Sequence, residues 1–216
     1  MPTPDRVCSA AALADRPAPG SNGFGFQRFG VAAEAPHAVT PGPFCGIHRL
    51  VGIVDERIDI GCLIVQGRDA DAFLERLSAN RVAESDGRIT YTQWLNEAGT
   101  LEADLTVIRF SEDDFMVVTS DTAHRHTEAW MRRHLEPERF VTVSDVTSAY
   151  GQLNIQGPRS RDVLQSLTSI DFSNQAFPFR CVREIDIGLA RVLCVRITYL
   201  GELGYELYIP TEQAVH

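Results

Sequence analysis

The residue best placed to do chemistry in this chain is Asp104. It lies in residues 91–110, YTQWLNEAGTLEADLTVIRF, which read as a β-hairpin. Asn96-Glu97-Ala98-Gly99 supplies turn chemistry between two runs rich in β-branched and aromatic residues. Strand side chains alternate, so Leu101, Ala103, Leu105 and Val107 point one way and Glu102, Asp104, Thr106 and Ile108 the other. A carboxylate held on a fixed face can accept paired N–H donors or stabilise a nearby cation. The ordinary reading of such a face is solvated. A second acid, Glu206, stands just beyond the tight turn Gly201-Glu202-Leu203-Gly204, in a strand over residues 205–209.

Composition excludes much else. All 20 cations are arginine, so lysine Schiff-base chemistry, the phosphate-loop lysine and the kinase lysine are absent. The five cysteines, Cys8, Cys45, Cys62, Cys181 and Cys194, form no C-x-x-C pair and are odd in number. That argues against a structural zinc site or a disulfide framework and suits a reducing compartment. His124 and His126 are two apart, diverge on a helix and read as surface histidines; no metal site is expected. A formal net charge of −9 argues against a nucleic-acid binder and against attraction to anionic membranes. No apolar run approaches the ~18 residues that span a bilayer. Asp5, Asp15 and Glu34 speak against a mitochondrial transit peptide, so the cytoplasm is the expected location.

The elements that must position the acids follow in order. Residues 1–45 hold seven of the 11 prolines and no helical or strand period, and read as a disordered tail or linker. Gly23-Phe24-Gly25 with Gly30 fails as a dinucleotide fingerprint, because Arg28 holds the third glycine position and no strand precedes it. This chain should therefore carry no FAD or NAD site. From Gly46 the pattern is globular. Strands are expected over 60–66, 88–95, 101–109, 114–119, 140–146, 150–156, 178–187, 191–199 and 205–209. Helices are expected over 69–79, capped near Asp69, over 121–135, capped by Ser120 or Asp121, and after Gly157-Pro158, with Val163, Leu164 and Leu167 as its buried stripe. Thr211 reads as the N-cap of a further helix. Gln66-Gly67 followed by Leu74 and Leu77 is echoed by Gln156-Gly157 followed by Leu164 and Leu167, a weakly repeated unit. The expected division is 46–147 for a first α+β unit and 148–216 for a second. The second ends at His216 in what should be the first turn of a helix and reads as truncated.

Several separated stretches, in the right order, resemble one family. GELGYELYIP and YTQWLNEAGTLEADLTV, with VQGRDADAFLERLSANRV and DVTSAYGQLNIQGPRSRDVL, resemble the aminomethyltransferase (T-protein) of the glycine cleavage system. The wording is closer to its folate-binding branch, the module behind the flavin domains of dimethylglycine and sarcosine dehydrogenases, of which SNQAFPFRCVREIDIG is typical. The resemblance covers about residues 46–216. It implies an α+β fold, a three-lobed ring around a central tetrahydrofolate, incomplete here at its C-terminal lobe.

By this resemblance Asp104 is the catalytic aspartate beside the folate nitrogen that accepts the one-carbon unit. Glu206 grips the pterin, and Tyr91 and Tyr199 are aromatic positions near the folate. Thr119 stands where a family asparagine contacts it, and Ile108 where a tyrosine often lies. One ionised carboxylate can accept the pterin ring N–H and amino group side by side. The implied activity is folate-dependent aminomethyl or methylene transfer giving 5,10-methylenetetrahydrofolate. The donor is amine-derived, and FAD would belong to a partner flavoprotein domain or subunit. The alternatives are a folate-fold binding or regulatory module without transfer chemistry, and a tetrahydrofolate-dependent O-demethylase. The RNA-modification branch carries a lysine-containing cysteine motif, which a chain without lysine cannot supply.

Overall fold

Two five-stranded antiparallel sheets carry the chain in the computed structural model, which describes residues 52–55, 60–198 and 201–214. The first sheet runs β3 (Ile89–Leu95), β4 (Leu101–Ser111), β5 (Asp114–Ser120), β2 (Ile60–Gln66), β6 (Thr142–Asp145). The second runs β8 (Val182–Ile187), β9 (Ala190–Val195), β10 (Gly204–Pro210), β7 (Tyr150–Gln156), β1 (Gly52–Asp55). Helices α1 (Ala70–Leu77) and α3 (Ser160–Leu167) follow β2 and β7, and α2 (Asp121–His134) follows β5.

The sequence echo corresponds to a repeated topology. A strand ends at a left-handed glycine, Gly67 (φ 133°) or Gly157 (φ 122°), and a short helix starts three residues on. In each copy the glycine carbonyl accepts the first turn's N–H, from Ala70 at 2.9 Å and from Ser160 at 3.0 Å. A three-strand meander then returns its last strand to the first. Gly67 is fixed by contact as well as by φ, since a Cβ there would lie 1.9 Å from the Phe140 carbonyl oxygen. The copies exchange their outer strands: β6 pairs with β2, while β1, ahead of the first copy, pairs with β7 of the second.

Each sheet has both faces covered. Leu63, Val65, Leu105, Val107 and Val117 pack on α1 and α2 through Leu74, Trp130 and Met131. Ile155, Tyr205 and Leu207 pack on Leu164 of α3 with Phe172 and Phe177. Between the sheets, Cys62, Ile89, Ile108, Met116 and Val118 meet Val182, Val195 and Tyr208. The layers are therefore helix, sheet, sheet, helix. This burial of apolar area is the main force holding the layers together.

Several local expectations shift. The strand expected from residue 178 begins at Val182, because Arg180 adopts φ 64° and breaks the extended run. Strand β6 starts at Thr142 and β9 ends at Val195. Leu167 is 48% exposed, so Leu164 carries the α3 contact. Asp69 makes no cap bond to its own helix; it accepts the Phe140 N–H at 2.8 Å and ties α1 to the approach to β6. Thr211 opens a 3-10 turn, and its hydroxyl donates to the Ser148 carbonyl at 2.7 Å. Among the described residues no helix is long and apolar enough to cross a membrane. The expectations for residues 1–45 and for Tyr199 lie outside the described residues.

Candidate functional site

The face of β4 that holds Asp104 is the face turned toward the second sheet. Strand pairing aligns Tyr91, Thr106, Val118 and Cys62 in one row across β3, β4, β5 and β2, with Gln93 and Asp104 as the next pair along. Val118 and Cys62 belong to the apolar layer between the sheets. Asp104 lies beyond that layer, exposed, and its Oδ1 accepts from Gln93 Nε2 at 3.2 Å. Tyr91, 52% exposed, is on the same face. Thr106 and Cys62 are two strand spacings apart, about 10 Å.

Glu206 faces Asp104's sheet from the other side. On β10, Tyr205 and Leu207 enter the α3 core, so Glu206 and Tyr208 point between the sheets. The Tyr208 hydroxyl donates to Glu206 Oε2 at 2.8 Å and accepts from Gln152 Nε2 at 3.2 Å, which fixes the carboxylate's orientation. Glu206 is near enough to Cys62 of β2 to act on its thiol. Burial first, then the charges of Asp145 and Glu206, push that thiol up to about 12. Cys62 is therefore a neutral thiol at neutral pH, poorly suited to act as a nucleophile.

Strand β7 adds groups that sequence reasoning passed over. Gln152, Asn154 and Gln156 pair with Tyr208, Glu206 and Gly204 and share their face. All three amides are buried. Gln156 accepts from the Thr198 hydroxyl at 3.0 Å, and a Cβ on Gly204 would sit 1.9 Å from its Oε1. The Gln152 Oε1 and Asn154 Oδ1 oxygens are buried with no hydrogen-bond partner among the described residues. A buried acceptor without a donor is unfavourable, and two beside one carboxylate call for a donor-rich occupant or water. The alternation Gln-Leu-Asn-Ile-Gln in the sequence was the available signal; it marks a polar face without saying that the face is buried.

Thr119 does not join this face. It points to α2, buried, with its hydroxyl 3.3 Å from that of Thr127. Residue 119 is odd-numbered on β5, whereas Met116 and Val118 set the inter-sheet side. The two histidines also separate. His126 is exposed and meets Glu102 at 2.8 Å, but the His124 side chain is only 14% exposed, so the surface reading fails for it.

A family model described as the GCVT N-terminal domain matches residues 45–216. The chain is 34% identical over 163 residues to mitochondrial dimethylglycine dehydrogenase of Mus musculus, covering 75% of this chain and 18% of that protein. It is 35% identical over 156 residues to an aminomethyltransferase of Geobacillus kaustophilus, covering 72% and 42%. It is 32% identical over 151 residues to the regulatory subunit of mitochondrial pyruvate dehydrogenase phosphatase of Mus musculus, covering 69% and 17%. The chain thus spans less than half the length of these relatives. Among solved structures, glycine cleavage system aminomethyltransferase T from Bartonella henselae matches with TM-score 0.64 and 23% identity over 75% of this chain and 42% of that one. Heterotetrameric sarcosine oxidase from Corynebacterium sp. U-96 matches with TM-score 0.58 and 15% identity over 75% and 76%.

The fold is therefore of the aminomethyltransferase type, a mixed α+β arrangement of antiparallel sheets. The chain belongs to the family of the GCVT N-terminal domain.

Proposed function

We propose that this chain is a tetrahydrofolate-binding unit for one-carbon transfer, working with an amine-oxidising flavoprotein domain or subunit in a reducing, cytoplasmic setting. The observation that carries this reading is the pair Asp104 and Glu206 on facing sides of two sheets, with the donorless oxygens of Gln152 and Asn154 beside Glu206. Tetrahydrofolate supplies the nitrogen that accepts the one-carbon unit, and 5,10-methylenetetrahydrofolate is the product.

The residues fit that ligand. A pterin edge presents N–H donors side by side, and Glu206 is an acceptor-only group whose orientation the Tyr208 hydroxyl fixes. Asn154, directly across from Glu206 in the β7–β10 register, adds a buried acceptor. Asp104 has a different task. Gln93 holds one of its oxygens from the neighbouring strand, which leaves the other to face a cationic amine-derived donor. A fixed carboxylate stabilises positive charge as it develops and orients the attacking amine. Tyr91, on the same face and half exposed, is a platform for an aromatic ring; Tyr199 and Thr119 carry no part of this reading.

The test is anaerobic titration of tetrahydrofolate, with transfer assayed from formaldehyde or an iminium donor. Glu206→Gln should weaken binding by about 1 to 3 kcal/mol, the scale of a charge-assisted hydrogen bond. Asp104→Asn should leave binding nearly unchanged and slow transfer by ~10²-fold. Unaltered affinity in Glu206→Gln would remove the folate reading. Folate binding with transfer insensitive to Asp104 would favour a regulatory module, the reading to which the phosphatase regulatory subunit among the relatives lends weight.

A further inference from the structure

We propose that His124, Glu128 and Asp145 form a site for a divalent transition cation, zinc in the first instance, that clamps α2 to the edge strand β6. One ligand atom from each lies within 4.8 Å of the others. His124 and Glu128 are four apart on α2, hence neighbours on one helix face. Asp145 comes from β6, where pairing with Leu63 turns it to the same side of the first sheet as α2.

The donor atoms are held as ligands would need to be. His124 Nε2 lies 3.3 Å from Asp145 Oδ2. Two ligands at the usual 2.0–2.2 Å from a tetrahedral zinc are themselves separated by roughly 3.3 to 3.5 Å, so this pair is already at bridging distance. The imidazole is seated on bare backbone: a Cβ on Gly61 of β2 would fall 2.7 Å from His124 Cγ and Cδ2. Each carboxylate has one oxygen tethered. Arg132 Nε and Nη2 both engage Glu128 Oε1, at 2.9 and 2.8 Å, and the Thr147 N–H donates to Asp145 Oδ1 at 3.0 Å. One oxygen of each carboxylate is thus anchored, the outer support typical of metal-binding carboxylates. The Thr147 hydroxyl lies 3.3 Å from His124 Nε2 and accepts from the Cys62 N–H at 3.0 Å.

One imidazole and two carboxylates suit Zn²⁺, a cation of borderline hardness, with water completing the shell. The placement defines the role. Asp145 and Thr147 lead from β6 through the 3-10 turn Thr147–Ala149 into β7, the chain's passage from the first sheet to the second. A cation here would stiffen that passage from the α2 side, away from the face that holds Asp104.

The experiment uses the untagged chain, stripped with EDTA and titrated with ZnCl₂ by calorimetry, with Co²⁺ absorbance as the geometric readout. The expected result is one equivalent bound at this site, a rise in Tm, and visible Co²⁺ bands of a low-coordinate site. Glu128→Gln and Asp145→Asn should each weaken binding at least tenfold. Asp145→Asn, at the more exposed of the two carboxylates, keeps the test open if Glu128→Gln folds poorly. His126→Gln should bind as the parent does. No saturable binding, or binding that survives both carboxylate substitutions, overturns the site and leaves His124–Asp145 as an ordinary ion pair.

Discussion

Arg180 and Ile89 hydrogen-bond to each other in both directions: the Ile89 N–H donates to the Arg180 carbonyl at 3.0 Å, and Arg180 Nε donates back to the Ile89 carbonyl at 2.7 Å. This pair joins the start of β3 to the approach to β8 and so ties one sheet to the other. Arg180 Nη2 adds a bond to the Thr90 hydroxyl at 3.0 Å, and the neighbouring Val182 N–H donates to the Gly87 carbonyl at 3.0 Å. Reaching Ile89 places the Arg180 backbone at φ 64°, which costs a side-chain-bearing residue about 1–2 kcal/mol. Arg180→Ala keeps that cost and loses the charged hydrogen bonds, so it should destabilise by about 2–3 kcal/mol. Arg180→Gly loses the same bonds but relieves the backbone, and should be about 1 kcal/mol more stable than the alanine variant. Urea unfolding of the three chains measures both differences. Equal loss in the two variants would mean that the left-handed backbone is not strained.

Asn154 should trade stability for binding. Its Oδ1 is buried with no donor among the described residues, so Asn154→Val removes a desolvated acceptor and should raise the Tm of the ligand-free chain or leave it unchanged. The same change should shrink the Tm shift caused by tetrahydrofolate. Both are read in one thermal-shift series. A clear drop in ligand-free Tm would mean that Asn154 is already satisfied within the fold.

Thr119 should behave in the opposite way. Thr119→Val breaks its contact with the fully buried Thr127 and should cost about 1–3 kcal/mol of stability. Because its side chain faces α2, folate affinity should stay within about twofold of the parent. A large affinity loss at unchanged stability would restore it to the ligand face.

Acid should unfold the chain partly through Asp69. The Phe140 N–H holds its carboxyl below the usual carboxylate range, opposed by some desolvation and aided by Arg68 and Arg139. A carboxyl with a depressed folded pKa adds stability that is complete above the unfolded value of about 3.9 and is lost as pH falls through the folded one. The parent should therefore exceed Asp69→Asn in Tm at pH 7, and the gap should narrow below about pH 4. Melting both chains from pH 7 to pH 2.5 checks this; a gap that widens on acidification would reverse the sign assigned to Asp69.

The sequence by itself determined the local elements and the strand that carries Asp104. Strands β2 and β7 fall where alternation and the breaks at Gly67 and Gly157 put them, because period and turn chemistry are properties of neighbouring residues. The hairpin that presents Asp104 closes at Gly99, with φ 76°, for the same reason. The lack of lysine and of cysteine pairs excluded whole chemistries without any fold. Tertiary structure alone decided which polar faces are buried. Gln152 and Asn154 alternate with apolar residues as a solvated strand would, and only the first sheet lying over them makes them a buried polar strip beside the half-buried Glu206. It also put Thr119 on the helix side and brought Asp145 to His124 across 21 positions of chain. Alternation fixes that successive side chains oppose one another; what each side then meets depends on the packing of distant segments, which no local window contains.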